Sequence, residues 1–152
     1  MDKKQFKDFC KKKFEAKGFI QQKNMFYLSG CDVLCGICLQ KSNYGNIYYV
    51  NYCYFIGKFN DIKSYPTYNE SDVDGRLLTM SKTQSIQGKH FITAQIEYEE
   101  YSEDELEPYF EKELNEKILP PIIHGKKYIL DNLGKIYTLT MNKDEVLRKL
   151  SC

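Results

Sequence analysis

From Ile47 to Ile56 the chain reads Ile-Tyr-Tyr-Val-Asn-Tyr-Cys-Tyr-Phe-Ile, without a single charged residue. β-Branched and aromatic side chains favour extended backbone, where they pack across a pleated surface. A strand with one wet face alternates apolar and polar residues, whereas here both faces are largely apolar. The run therefore predicts a central strand covered on each side. The rest of the chain has to supply two covering layers.

The segment before it has the same period. Val33, Cys35, Ile37 and Leu39 alternate with Leu34, Gly36, Cys38 and Gln40. Ser42-Asn43-Tyr44-Gly45-Asn46 supplies turn residues between the two runs, which predicts an antiparallel hairpin preceded by a shorter strand over 25–28. Upstream, Phe6, Phe9, Cys10 and Phe14 fall on one helical stripe over 2–17, and Gly18 suits the left-handed position that closes such a helix. Downstream, Ser102-Glu103-Asp104-Glu105 is a capping box. Leu106, Tyr109, Phe110, Leu114 and Ile118 form the helical stripe behind it, ended by Pro120-Pro121. A weaker helix over 126–133 closes at Gly134, and a second capping box at Asn142–Glu145 opens a terminal helix through Leu150. Between these, 60–74 reads as a loop, 76–80 as a short strand, 81–89 as a turn and 90–98 as a strand. Residues 136–140 fit helix or strand equally.

Helix, then strands, then helices predicts an α+β fold. Its antiparallel sheet has about five strands, with an N-terminal helix and C-terminal helices packed on it. A length of 152 residues suits a single domain over 1–152, because two cores would each be near the lower limit of independent folding. No apolar run approaches the ~20 residues of a membrane-spanning helix, and the charged N-terminus lacks the apolar core of an export signal. With 6 Cys and no export signal, reduced thiols and a cytoplasmic location are expected.

Several chemistries lack their motifs. Cys35-Gly36-Ile37-Cys38 has the Cys-x-x-Cys spacing, but inside a strand its two thiols face opposite sides of the sheet, and no second pair completes a zinc site. His90 and His124 stand outside any nucleophile–base signature. The glycines form no phosphate loop. Neither a cofactor nor a metal is expected, and the balance is against an enzyme.

Charge is segregated. Lys3, Lys4, Lys7, Lys11, Lys12, Lys13 and Lys17 dominate the first helix, while Glu97, Glu99, Glu100, Glu103, Asp104, Glu105, Glu107, Glu111, Glu113 and Glu116 dominate the segment into the second. Capping accounts for the acids of the first turn but not for Glu107, Glu111 and Glu113, whose like-charge neighbours repel in a free helix. These three are candidate contacts for a basic protein partner. The plain alternative is two solvated helix faces that attract each other weakly. The same acidic run, with a net charge of +1, opposes nucleic-acid binding. Gln40 and Asn51 are polar residues in strands that otherwise read as buried. They either satisfy each other or, with Lys41 and Arg76, face a cleft that could house an active site.

Lys17-Gly18-Phe19, Phe26-Tyr27, Ile37-Cys38-Leu39-Gln40-Lys41-Ser42, Tyr44-Gly45 and Tyr48-Tyr49-Val50-Asn51, in this order, resemble the small bacterial proteins grouped as domain of unknown function 4304. The resemblance covers about the first 60 residues, and Gly75-Arg76-Leu77 is similar to that family's mid-chain arginine strand. The family carries no assigned activity. What the resemblance implies is a stand-alone cytoplasmic domain, in some members like an immunity protein that neutralises a toxin. The reading that follows is a non-enzymatic protein-binding module. An enzyme with a polar cleft near Gln40, Lys41, Asn51 and Arg76 is the second reading.

Overall fold

The computed structural model describes residues 1–57, 65–140 and 143–151. Helix α1 (Lys3–Ala16) starts at Asp2, whose side chain accepts the Gln5 N–H while the Gln5 side chain accepts the Asp2 N–H. This reciprocal cap satisfies two amides that the first turn leaves free. The helix ends where Gly18 takes a φ of 99°. That turn sends Phe19 back into the core, with its N–H on the Phe14 carbonyl.

Six antiparallel strands follow the expected core hairpin and extend it. They are β1 (Ile20–Gln22), β2 (Met25–Ser29), β3 (Val33–Lys41), β4 (Tyr48–Ile56), β5 (Val73–Arg76) and, much later in the chain, β8 (Thr138–Leu139). Their spatial order is β1-β2-β3-β4-β5-β8. Strands β6 (Thr79–Ile86) and β7 (Lys89–Thr93) form a separate ribbon. On the C-terminal side lie α2 (Glu103–Glu113), α3 (Pro120–His124), α4 (Lys126–Asp131) and α5 (Lys143–Ser151). The fold is mixed α and β, as the sequence order implied, with one more strand in the main sheet than expected and an additional ribbon.

β4 is covered on both faces. Tyr48, Val50, Tyr52 and Tyr54 enter the main core with Phe6, Phe9 and Phe14 of α1 and Leu106 and Phe110 of α2. Cys53 and Phe55 join Met25, Tyr27 and Leu34 on the opposite face, where Tyr65 and Tyr68 pack over them. Gly75 permits this closeness: a Cβ there would meet the Tyr52 ring at 2.6 Å.

Each difference from the sequence reading has a physical cause. β1 is exposed along its whole length and so carries no period to read. The arginine strand begins three residues earlier than expected, because Val73 pairs with Tyr54 and Arg76 with Asn51. The part of the expected loop at 65–72 contains a 3-10 turn, Tyr68–Glu70; its segment 60–64 lies outside the described residues. The polar segment expected as a turn at 81–89 is mostly strand. Its turn is confined to Gln87 and Gly88, with φ of 52° and 75°, the left-handed pair of a tight hairpin. Pro120 and Pro121 end one helix and open the next, since proline fits a first turn. The cap expected at Asn142 lies outside the described residues.

Among the described residues no helix is long and apolar enough to cross a membrane. Cys35 belongs to the main core and Cys38 packs on the other face. Burial pushes the thiols of Cys10, Cys35 and Cys53 up, while Cys31 is exposed. In a Cys152→Ser background, a colourless aromatic disulfide reagent should therefore label Cys31 fast, Cys38 slowly, and the other three only on unfolding. Native labelling of Cys10 or Cys35 at the Cys31 rate would contradict this packing.

Candidate functional site

The pairing of β3, β4 and β5 brings three polar side chains together on the face away from α1. Asn51 is opposite Cys38 on one side and Arg76 on the other. Its amide donates to Gln40 Oε1 at 2.8 Å, and its Oδ1 accepts from Arg76 Nε at 3.0 Å. Arg76 Nη2 also reaches Gln40 Oε1, at 3.4 Å. The guanidinium lies 4.3 Å from the centre of the Tyr49 ring, a cation–π arrangement. Asn51 is 6% exposed, so this ring of contacts meets the hydrogen-bonding demand of a buried amide. Lys41 is not part of it. As the neighbour of Gln40 in a strand it points to the opposite face, where its ammonium donates to the carbonyls of Ser42 and Gly45. None of Gln40, Asn51 and Arg76 can accept a proton at neutral pH.

Glu107, Glu111 and Glu113 find partners inside the chain. Lys13 of α1 pairs with both Glu107 and Glu111, and Lys17 donates to Glu111 Oε2 at 3.0 Å. Glu113 is 4% exposed. It accepts from the Leu78 N–H at 3.1 Å and pairs with Lys117 at 2.9 Å, tying α2 to the segment after β5. The two lysines hold the Glu111 carboxyl down at about 2. Against the pull of partial burial, Glu107 and Glu111 raise the Lys13 ammonium above its ordinary value. A sequence signal for this clamp exists: Lys13 and Lys17 stand seven and eleven residues after Phe6, in phase with the apolar stripe.

Three other lysines of α1 border a cavity of about 560 Å³ between the helix and the sheet. Lys3, Lys7 and Lys11 line one wall at four-residue spacing; Lys41, Gln21 and Asn24 line the other; Phe26, Leu39 and Tyr48 form the floor. Asp8 is the single acid among its lining residues. Lys11 approaches Glu15 at 3.9 Å, while Lys3, Lys7 and Lys41 form no ion pair among the described residues. The four-residue spacing is visible in the sequence. That Lys41 faces it depends on how α1 crosses β3, which no local pattern encodes. On the opposite face of the sheet, Met25, Tyr27 and Tyr65, with Gln22, Lys23, Asn24 and Thr67 around them, border a second cavity of about 460 Å³.

His90 is on the exposed ribbon, its Nδ1 3.3 Å from the Gln84 carbonyl, and His124 stacks on Tyr128 at the end of α3. Neither is among the residues that line the lysine groove or that bond within the polar cluster. Among the described residues no three His, Cys, Asp or Glu are grouped so as to hold a metal ion. A family model described as Domain of unknown function (DUF4304) matches residues 10–122, from α1 into α3. The match runs well past the first 60 residues that carry the resemblance in sequence. No curated protein and no solved structure matches the chain.

Two stability predictions follow from this geometry. Asn51→Leu removes the amide that joins Gln40 to Arg76 and should lower unfolding stability by about 1–3 kcal/mol in urea melts; an unchanged melt would mean the cluster has no structural role. Glu111 has a depressed carboxyl, so its contribution is complete above the ordinary carboxylate range near pH 4.3 and fades as the pH falls toward 2. Because the pair is partly exposed, wild type should exceed Glu111→Gln by about 1 kcal/mol or less at pH 7. That gap should shrink from about pH 5 and close near pH 1, below the folded carboxyl's own value. A gap as large at pH 1 as at pH 7 would refute the clamp.

Proposed function

The chain belongs to the DUF4304 family, and from that premise we propose that it is a non-enzymatic protein-binding module whose lysine-lined groove receives an acidic surface of a partner protein. The observation that carries this reading is the groove itself: Lys3, Lys7, Lys11 and Lys41 around about 560 Å³, with Asp8 as the only lining acid. Like charges held around a concave surface by a helix and a strand form a preset field for an anionic partner, and such fields raise association rate and specificity. Glu107 and Glu111 support a basic partner less well, since Lys13 and Lys17 already neutralise them. Neutralising a toxin through an acidic face is one form that such binding takes.

The enzyme reading has less support. Gln40, Asn51 and Arg76 hydrogen-bond to one another, Lys41 faces away from them, and the cluster contains no general base.

The test is affinity capture from nuclease-treated extract of the native host, comparing wild type with a Lys3→Glu, Lys7→Glu, Lys41→Glu variant of matched melting temperature. Wild type should retain a protein that elutes with rising salt, and the variant should lose it. Equal retention by both would remove the groove as the contact surface. Capture seen only when the nuclease treatment is omitted would point to nucleic acid instead.

A further inference from the structure

Among the described residues β1 is the outermost strand of the six-stranded sheet, paired only with β2. All three of its residues are exposed, Ile20 by 48%. An unpaired strand edge presents alternating N–H and C=O groups to solvent and can accept a further strand. What distinguishes this edge is its flanks. Gln21 lines the lysine groove on one face of the sheet, and the next residue, Gln22, lines the aromatic cavity of about 460 Å³ on the other. Ile20 is opposite Tyr27 and Gln22 opposite Met25, so both share the face of that second cavity. A strand added beside β1 would alternate its own side chains between the two sides.

We infer that the acidic partner is bound as an extended segment that adds to β1, with acidic side chains directed to Lys7 and Lys41 and the intervening apolar side chains placed beside Ile20, Met25 and Tyr65. The occupant is thus a peptide segment of alternating acidic and apolar residues. Its charge complements the four lysines, its apolar side complements the methionine–tyrosine wall, and its backbone completes the sheet. This rests on the reading of the lysine groove as the partner surface and specifies how that surface is used. Backbone pairing supplies affinity, and the two flanking cavities supply the preference for alternation.

The test uses a blocked heptapeptide of alternating glutamate and valine, labelled for fluorescence anisotropy, with the full-length protein. Two further peptides carry backbone N-methyl groups, one on every glutamate and the other on every valine. In a strand, successive amides point to opposite edges, so only one of these two sets can face β1. The parent peptide should bind. One methylated peptide should bind at least tenfold more weakly and the other within about threefold of the parent. Hydrogen exchange of the backbone amides of β1 should slow in the complex. Lys7→Glu with Lys41→Glu should weaken the parent peptide at least tenfold.

If both methylated peptides bind like the parent, or both fail, strand addition is overturned. Retained sensitivity to the lysine variant would then leave the groove reading standing. A parent peptide that does not bind also overturns this inference, while the capture experiment judges the groove on its own. Binding that ignores both methylation and the lysine variant would count against both readings.

Discussion

A strand without charge that is buried on both faces imposes its demands on everything around it. Tyr48, Val50, Tyr52 and Tyr54 require an apolar layer on one side, and α1 and α2 provide it. Cys53 and Phe55 require another, which Met25, Tyr27 and Leu34 extend in the sheet and Tyr65 and Tyr68 cover. Burial on this scale favours folding by roughly 25 cal/mol for each Å² of apolar surface removed from water. It leaves little tolerance for polar groups in the same strand. Asn51 is the exception, and Gln40 and Arg76 are where they are because an unpaired amide at 6% exposure would be costly. The cluster is the means by which β4 accommodates its buried amide, the mutual satisfaction that the sequence offered beside a cleft.

α1 divides its charge between two tasks. Its apolar stripe is Phe6, Phe9, Cys10 and Phe14. Lys13 and Lys17 continue along that stripe toward α2, where Glu107 and Glu111 meet them. Lys3, Lys7 and Lys11 run along a flank that overlooks the sheet, where Lys41 faces them across the groove. One helix therefore both locks the layer of helices together and furnishes the wall of a charged cavity. Segregation of lysine and glutamate in the chain describes the first task only in part and the second not at all.

The alternation from Val33 to Ile56 was enough to read the core hairpin and its two-sided burial, and the stripe Phe6–Phe14 with Gly18 was enough to read α1. The capping box at Ser102 marks a helix start because it acts locally, through bonds three residues away. That Gln40 and Lys41 lie on opposite faces was also legible, since neighbours in a strand always do. β1 and the ribbon were harder: their side chains are mostly exposed, so burial imposes no period on them. The start of β5 was illegible for another reason. Its register is set by pairing with β4, whose paired residues lie 19 to 25 positions earlier in the chain. The groove belongs to this last class, because its walls come from segments that meet only after the sheet and α1 have packed.

The two charged surfaces of the molecule are not equivalent, and the difference is physical. Crowded like charges repel, and a fold retains them when something relieves the repulsion. Along α2 the relief is internal: Lys13, Lys17 and Lys117 sit against Glu107, Glu111 and Glu113. Around the groove, Asp8 is one acid among four lysines, and Lys41 is turned to carbonyl oxygens that fix the β3–β4 turn. Water and salt screen that excess in the free protein. An anionic segment seated in the groove would relieve it directly, and the open edge of β1 beside it offers that segment a backbone to pair with. Lysine charge with little counter-charge among the described residues, next to a strand edge that pairs on one side, is what the proposed binding rests on.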